Sequence, residues 1–115
     1  LKKDAPDVLI ADLPDVESIE EVTEFFVKTN RPEYNILKCC EELTELQEVL
    51  LKYHLKIPEK KPPIEKVIEE AGDVIFRLAV VVEQFNIFDE VGDRIREKVE
   101  KLIEYYKQGK YKGGI

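Results

Sequence analysis

The sequence predicts an all-α fold, and three observations carry that expectation. Four stretches repeat apolar residues at three- and four-residue intervals, the period of helices that each bury one face. Proline-bearing or turn-forming segments separate the stretches: Asn30-Arg31-Pro32, the run KIPEKKPP at 56–63, and FNIFD at 85–89. No segment carries the polar–apolar alternation of a half-buried strand. The expected architecture is therefore a four-helix bundle. At 115 residues, 43% hydrophobic and 37% charged, the chain suits a single domain with a real core.

Residues 1–14 hold Pro6, Pro14 and several aspartates around an apolar VLIADL patch, and read as an extended arm. The helical domain follows over 15–108. Asp15 is the expected N-cap of the first helix, with Glu17 and Ser18 in its first turn and Ile19, Val22, Phe25 and Phe26 on its buried face. Pro32 ends that helix, because a proline disfavours helical geometry in the residue before it. A second helix should begin at 33 or 35 and end near 55, burying Ile36, Leu37, Cys40, Leu43, Leu46, Val49, Leu50 and Tyr53. Glu41, Glu42, Glu45 and Glu48 then fall on its other side. The third helix should start near Pro63, which suits a first-turn position, and reach about 85. From 74 to 82 its only charge is Arg77, so the middle of a bundle is its expected place. Asp89 should cap a fourth helix to about 107, with Val91, Ile95, Val99, Leu102, Ile103 and Tyr106 as its apolar face. Residues 109–115 read as a flexible tail.

Charge and cysteine content narrow the functional classes. The formal charge of −7 argues against sequence-independent binding to nucleic acid, whose affinity comes from phosphate neutralisation. It does not exclude a phosphorylated substrate, since bound divalent ions reverse the local sign. No apolar run is long enough for a membrane span. Cys39 and Cys40 are vicinal, with neither disulfide nor metal-ligand spacing; Cys40 is expected toward the core and Cys39 at its margin. These reduced thiols fit a cytoplasmic setting. The chain starts at Leu1 and contains no Met, which reads as less than a full translated product.

The chemistry lies in two acidic stretches, EELTEL at 41–46 and EEAGDV at 69–74. Residues three and four apart share a helix face, so Glu42 pairs with Glu45, and Glu70 with Asp73. Like charges at that spacing are destabilising by about 0.2–0.5 kcal/mol per exposed pair, and by more when desolvated. If the second and third helices form an antiparallel hairpin, all four acids converge. Such oxygen donors suit Mg²⁺ or Mn²⁺ and not Zn²⁺. A ferritin-like di-iron site is not encoded, because it needs Glu-x-x-His pairs and Leu51 stands three residues before the single histidine, His54. His54 itself reads as a helix-end residue, and no Ser/His/Asp or Cys/His set supports nucleophilic catalysis. Lys66 and Arg77 share the stripe of Glu70 and Asp73.

Lys38, Glu41-Glu42-Leu43-Thr44-Glu45-Leu46 and the later Glu70-Ala71-Gly72-Asp73 resemble the K-x-x-E-E-x-x-E-L and E-x-x-D signature of the MazG-like, all-α nucleoside triphosphate pyrophosphohydrolase superfamily. The likeness covers 35–82 well and the last helix loosely. It implies Mg²⁺-dependent hydrolysis of a nucleoside triphosphate to a monophosphate and pyrophosphate. By position it assigns Glu42, Glu45, Glu70 and Asp73 as metal ligands. Glu41 becomes an added carboxylate, ligating through water or positioning the attacking water. Lys38 would sit near phosphate or brace Glu42, and Lys98 would meet the phosphates. Some relatives place an asparagine one turn after that lysine; here the position is Leu102, with Lys101 as a substitute. Phe26, Asn30 and Phe76 are candidate contacts to the base. The family also implies a homodimer or homotetramer completing the bundle. Two rival readings stand beside this one: a phosphoribosyl-ATP or dUTP hydrolase branch of the same superfamily, and a non-catalytic helical interaction module.

Overall fold

The computed structural model describes residues 18–54 and 61–110. Among them the chain is all-helical, with no strand and four helices: α1 (Ile19–Thr29), α2 (Pro32–His54), α3 (Ile64–Phe85) and α4 (Phe88–Lys107). The expected arm at 1–14, Asp15, Glu17, Leu55 and the end of the expected tail at 111–115 lie outside the described residues. None of the described helices is long and apolar enough to cross a membrane. The chain divides into two compact units between Phe85 and Asn86.

In the first unit, α1 starts one turn later than the sequence reading placed it. Ser18, expected inside the first turn, is the N-cap; its Oγ accepts from the Glu21 backbone N–H at 3.2 Å. The same hydroxyl donates to Glu21 Oε1 at 3.2 Å, so the Ser-x-x-Glu spacing closes the helix start on itself. Ile19, expected on the buried face, is consequently at the cap's edge and 72% exposed. Val22, Phe25 and Phe26 are half-buried.

The buried stripe of α2 is not the most apolar one. Asn35, Cys39, Glu42 and Val49 point inward, while Leu37, Leu43, Leu50 and Leu51 are exposed. This corrects two expectations: Cys39 is buried and Cys40 exposed, and Glu42 lies inside, apart from Glu41 and Glu48. The reason is a polar lock at the start of the helix. Asn35, fully buried, donates from Nδ2 to Gln84 Oε1 at 2.9 Å and to the Phe26 carbonyl at 3.4 Å, and accepts from Asn30 Nδ2 at 3.1 Å. Gln84 Nε2 donates onward to the Pro32 carbonyl at 3.1 Å. A buried amide must find partners, and these partners fix the rotation of α2, carrying Cys39 and Glu42 inward behind Asn35.

The lock joins the start of α2 to the end of α3, and Lys61, just before α3, lies 4.4 Å over the Tyr53 ring at the end of α2. The two helices are therefore antiparallel. α3 buries Glu70, Val74 and Val80 but exposes Ile68, Ile75 and Leu78, so it is not enclosed on all sides as its composition implies. Leu43, Leu50 and Ile75 each follow an inward residue by one position, a rotation of about 100°. In an antiparallel pair the same rotation turns both helices toward one side, and that side is an open apolar face.

In the second unit, Asn86 has φ of 54° and ends α3 in the left-handed conformation that asparagine tolerates. Ile87 becomes the boundary of α4, and Asp89, expected as its cap, falls in the first turn. Gly109, at φ of 71°, closes the other end: its N–H donates to the Tyr106 carbonyl at 3.1 Å and that of Lys110 to Tyr105 at 2.9 Å. These are the two bonds of a Schellman cap. The helix stop is thus built from the first two residues of the segment that reads as a tail. Ile95, Val99, Leu102, Ile103 and Tyr106 are all exposed.

Candidate metal centre

Three glutamates from α2 and α3 meet in the first unit. Glu42, Glu45 and Glu70 each offer a carboxylate oxygen, and the three oxygens lie within 4.8 Å of one another. Glu42 is 8% exposed and Glu70 5%; Glu45 is the open member. The Asn35 lock explains the placement of the first two, since Glu42 lies on the same inward stripe and Glu45 one turn further on.

The electrostatics are unfavourable for acids alone. Glu45's carboxyl is pushed above its usual range, chiefly by the charge of Glu42, then by desolvation, by the charge of Glu70 and by side-chain hydrogen bonds that a protonated Glu45 makes with both. Glu42 Oε2 and Glu70 Oε2 are buried and have no hydrogen-bond partner. Leaving a buried, charged acceptor unsatisfied costs a few kcal/mol. A cation among these oxygens removes both the repulsion and the unsatisfied valence. The donor set fits: hard oxygens, no sulfur or imidazole, and one side open for water, as Mg²⁺ or Mn²⁺ requires.

One positive charge already touches the cluster. Lys66 Nζ lies 3.1 Å from Glu70 Oε1 and 2.8 Å from Glu69 Oε2, an i,i+4 and an i,i+3 pair on α3. Hydrogen bonds to these two carboxylates, Glu69 first, hold its ammonium well above the ordinary lysine range.

Asp73 is exposed, three residues beyond Glu70, and is not among the three gathered carboxylates. Glu41 is exposed, and Lys38 Nζ pairs with it at 3.4 Å, not with Glu42. Phe26 and Phe76 meet edge to face with centroids 5.6 Å apart, and the Arg77 guanidinium lies 5.6 Å from each ring. Burial pushes the Cys39 thiol up, reinforced by Cys40 and Glu42 and opposed by Arg77. That pattern fits a packing thiol and not a nucleophile. Asn30's amide is engaged with Asn35 at the α1–α2 corner. Lys98 and Lys101 belong to the second unit; both are exposed, and Lys101 Nζ lies 5.6 Å from the Tyr105 ring centre.

Three residues matter here that pattern reading did not assign a role. Asn35 carried no signal in the sequence, because its stripe is identified as the inward one only by the bond to Gln84. Arg77 was visible as an isolated charge in an apolar run. Lys66 stood at i−4 from Glu70, the spacing of a helical ion pair. Compared with protein-family models, with curated proteins and with solved structures, the chain finds no match in any of the three.

Proposed function

We propose that this protein is a Mg²⁺-dependent nucleoside triphosphate pyrophosphohydrolase of the MazG-like type, releasing pyrophosphate and a nucleoside monophosphate. The observation that carries the reading is the pair of buried, partnerless oxygens, Glu42 Oε2 and Glu70 Oε2, where three carboxylates converge. A protein stabilised by this cluster alone would have no reason to leave them so.

Glu42, Glu45 and Glu70 would hold the ion, and Asp73 is the further ligand that the sequence resemblance assigns. When bound, Mg²⁺ supplies charge neutralisation and orientation for the phosphates and the attacking water. Glu45 is the exposed member of the three, so a water beside it would be reachable from solvent. Glu41 is a second carboxylate available for that water, with Lys38 as its counter-charge at 3.4 Å. Phe26 and Phe76, with Arg77 against both rings, offer an aromatic surface for a nucleobase. The assignment of Lys98 and Lys101 to phosphate rests on the motif resemblance alone.

The apolar face of α2 and α3 fits association with a second copy, by isologous pairing. Sedimentation should show a dimer or tetramer, and Leu50→Glu combined with Ile75→Glu should give a monomer.

The decisive assay offers the purified chain a panel of nucleoside triphosphates with Mg²⁺, including dUTP, and separately phosphoribosyl-ATP. Pyrophosphate appearing with the matching monophosphate supports the enzyme, and the preferred substrate selects the branch. No turnover on any member, with no heat of Mg²⁺ binding, would overturn the enzyme reading and leave the non-catalytic module as the rival.

A further inference from the structure

The two oxygens of Glu70 have different surroundings. Oε1 lies 3.1 Å from Lys66 Nζ, and Oε2 is buried among the carboxylates with no hydrogen-bond partner. Lys66 is itself shared, because Glu69 Oε2 lies 2.8 Å away on its other side. The two acids differ sharply in setting: the Glu70 side chain is 6% exposed and that of Glu69 57%. Lys66 therefore has one partner inside the centre and one in solvent, both within reach of a single half-exposed side chain.

We propose that Lys66 is a resident counter-cation that competes with the divalent ion for Glu70 and so sets the affinity of the three-glutamate centre. This rests on the metal reading given above and adds its regulation. The physical basis is the sign and the distance of the charge. A monovalent ammonium in contact with one ligand oxygen repels a divalent ion on the other, and the open side of the site screens that repulsion only in part. Glu69 makes the competition reversible. As a divalent ion is captured, the ammonium can rest on Glu69 alone, without giving up its ion pair or crossing solvent. Three clustered acids without such a partner would hold divalent ions more tightly and release them more slowly. With Lys66 present, the centre binds weakly enough to exchange its ion with the surroundings.

Mn²⁺ binding to the full chain, followed by the electron paramagnetic resonance of free Mn²⁺ and by calorimetry, tests this without any substrate. Lys66→Met should tighten binding by about three- to tenfold, and Lys66→Arg should keep the wild-type value. Lys52→Met is the control for net charge: it breaks a comparable helical pair, Lys52–Glu48 at 2.9 Å, and should leave Mn²⁺ affinity unchanged. If Lys66→Met binds Mn²⁺ as the wild type does, or more weakly, the counter-cation role is overturned while the metal centre stands. If Lys52→Met tightens binding as much as Lys66→Met, the effect is net charge and the role is again overturned. If the wild-type chain binds no Mn²⁺, the metal centre falls, and this role with it.

Discussion

Asn35 and Glu42 lie two helical turns apart on the same inward stripe of α2, and their surroundings are opposites. Asn35 is fully buried and bonded to Asn30, Gln84 and the Phe26 carbonyl. Glu42 is nearly as buried, yet it faces two other acids and keeps an oxygen without a hydrogen bond. The first arrangement is what folding alone selects, since satisfied polar groups specify a register at little loss of stability. The second is what folding alone selects against. Polar burial alone thus motivates no ligand; the buried oxygens of Glu42 and Glu70 without hydrogen bonds are what motivates the proposed cation site.

The sharpest test of that contrast is Glu45→Gln. Removing one charge from the cluster should lower turnover on nucleoside triphosphates by a hundredfold or more, while the thermal melt in chelator stays level or rises. A melt that falls instead would show the acids to be structural and erase the difference between the two centres. Asn35→Ala should behave in reverse. It strands Asn30 and Gln84, so a loss of about 2–4 kcal/mol in stability is expected by denaturant titration. A neutral Asn35→Ala would mean that the amide lock does not position α2.

Acidity gives a finer comparison, between Glu45 and Glu48 on adjacent turns. Glu45's proton affinity is raised in the folded chain, so the stability linked to its protonation is fully present below its ordinary value of 4.5 and is lost as pH rises through the raised one. Glu48's is lowered by its hydrogen bond to Lys52 and by that charge, so its contribution is present above 4.5 and lost as pH falls. In chelator, Glu45→Gln should flatten the decline in melting temperature from acid toward neutral pH. Glu48→Gln should change the acid limb only, and by little, because the pair is exposed. Identical profiles for the two variants would show that the cluster does not act on Glu45.

Much of this was legible in residue spacing. The all-helical class followed from the repeated period, and the breaks at Pro32 and Pro63 bounded α2 and α3 closely. Glu42, Glu45 and Glu70 were singled out because acids at helical spacing inside apolar runs are locally unfavourable. What spacing could not show was the rotation of α2. Counting apolar residues favours the stripe through Leu43 and Leu50, and only the long-range bond from Asn35 to Gln84 reveals the other as buried. The same limit hid the exposure of Asp73 and the choice of Lys38 for Glu41, since both depend on which side of a helix meets its neighbour. Ser18 is different: its Ser-x-x-Glu box was present in the sequence, and Asp15 was the more conspicuous candidate.

The amide lock also acts as an alignment pin. A slip of α2 against α3 by a single residue would translate one helix by about 1.5 Å, a large fraction of the 4.8 Å span that gathers the three carboxylates. Gln84, holding both Asn35 and the Pro32 carbonyl, blocks that slip. The precision of the acidic centre is therefore set at the far end of the hairpin. Substitutions there should surface as lost cation affinity in a chain that is still helical.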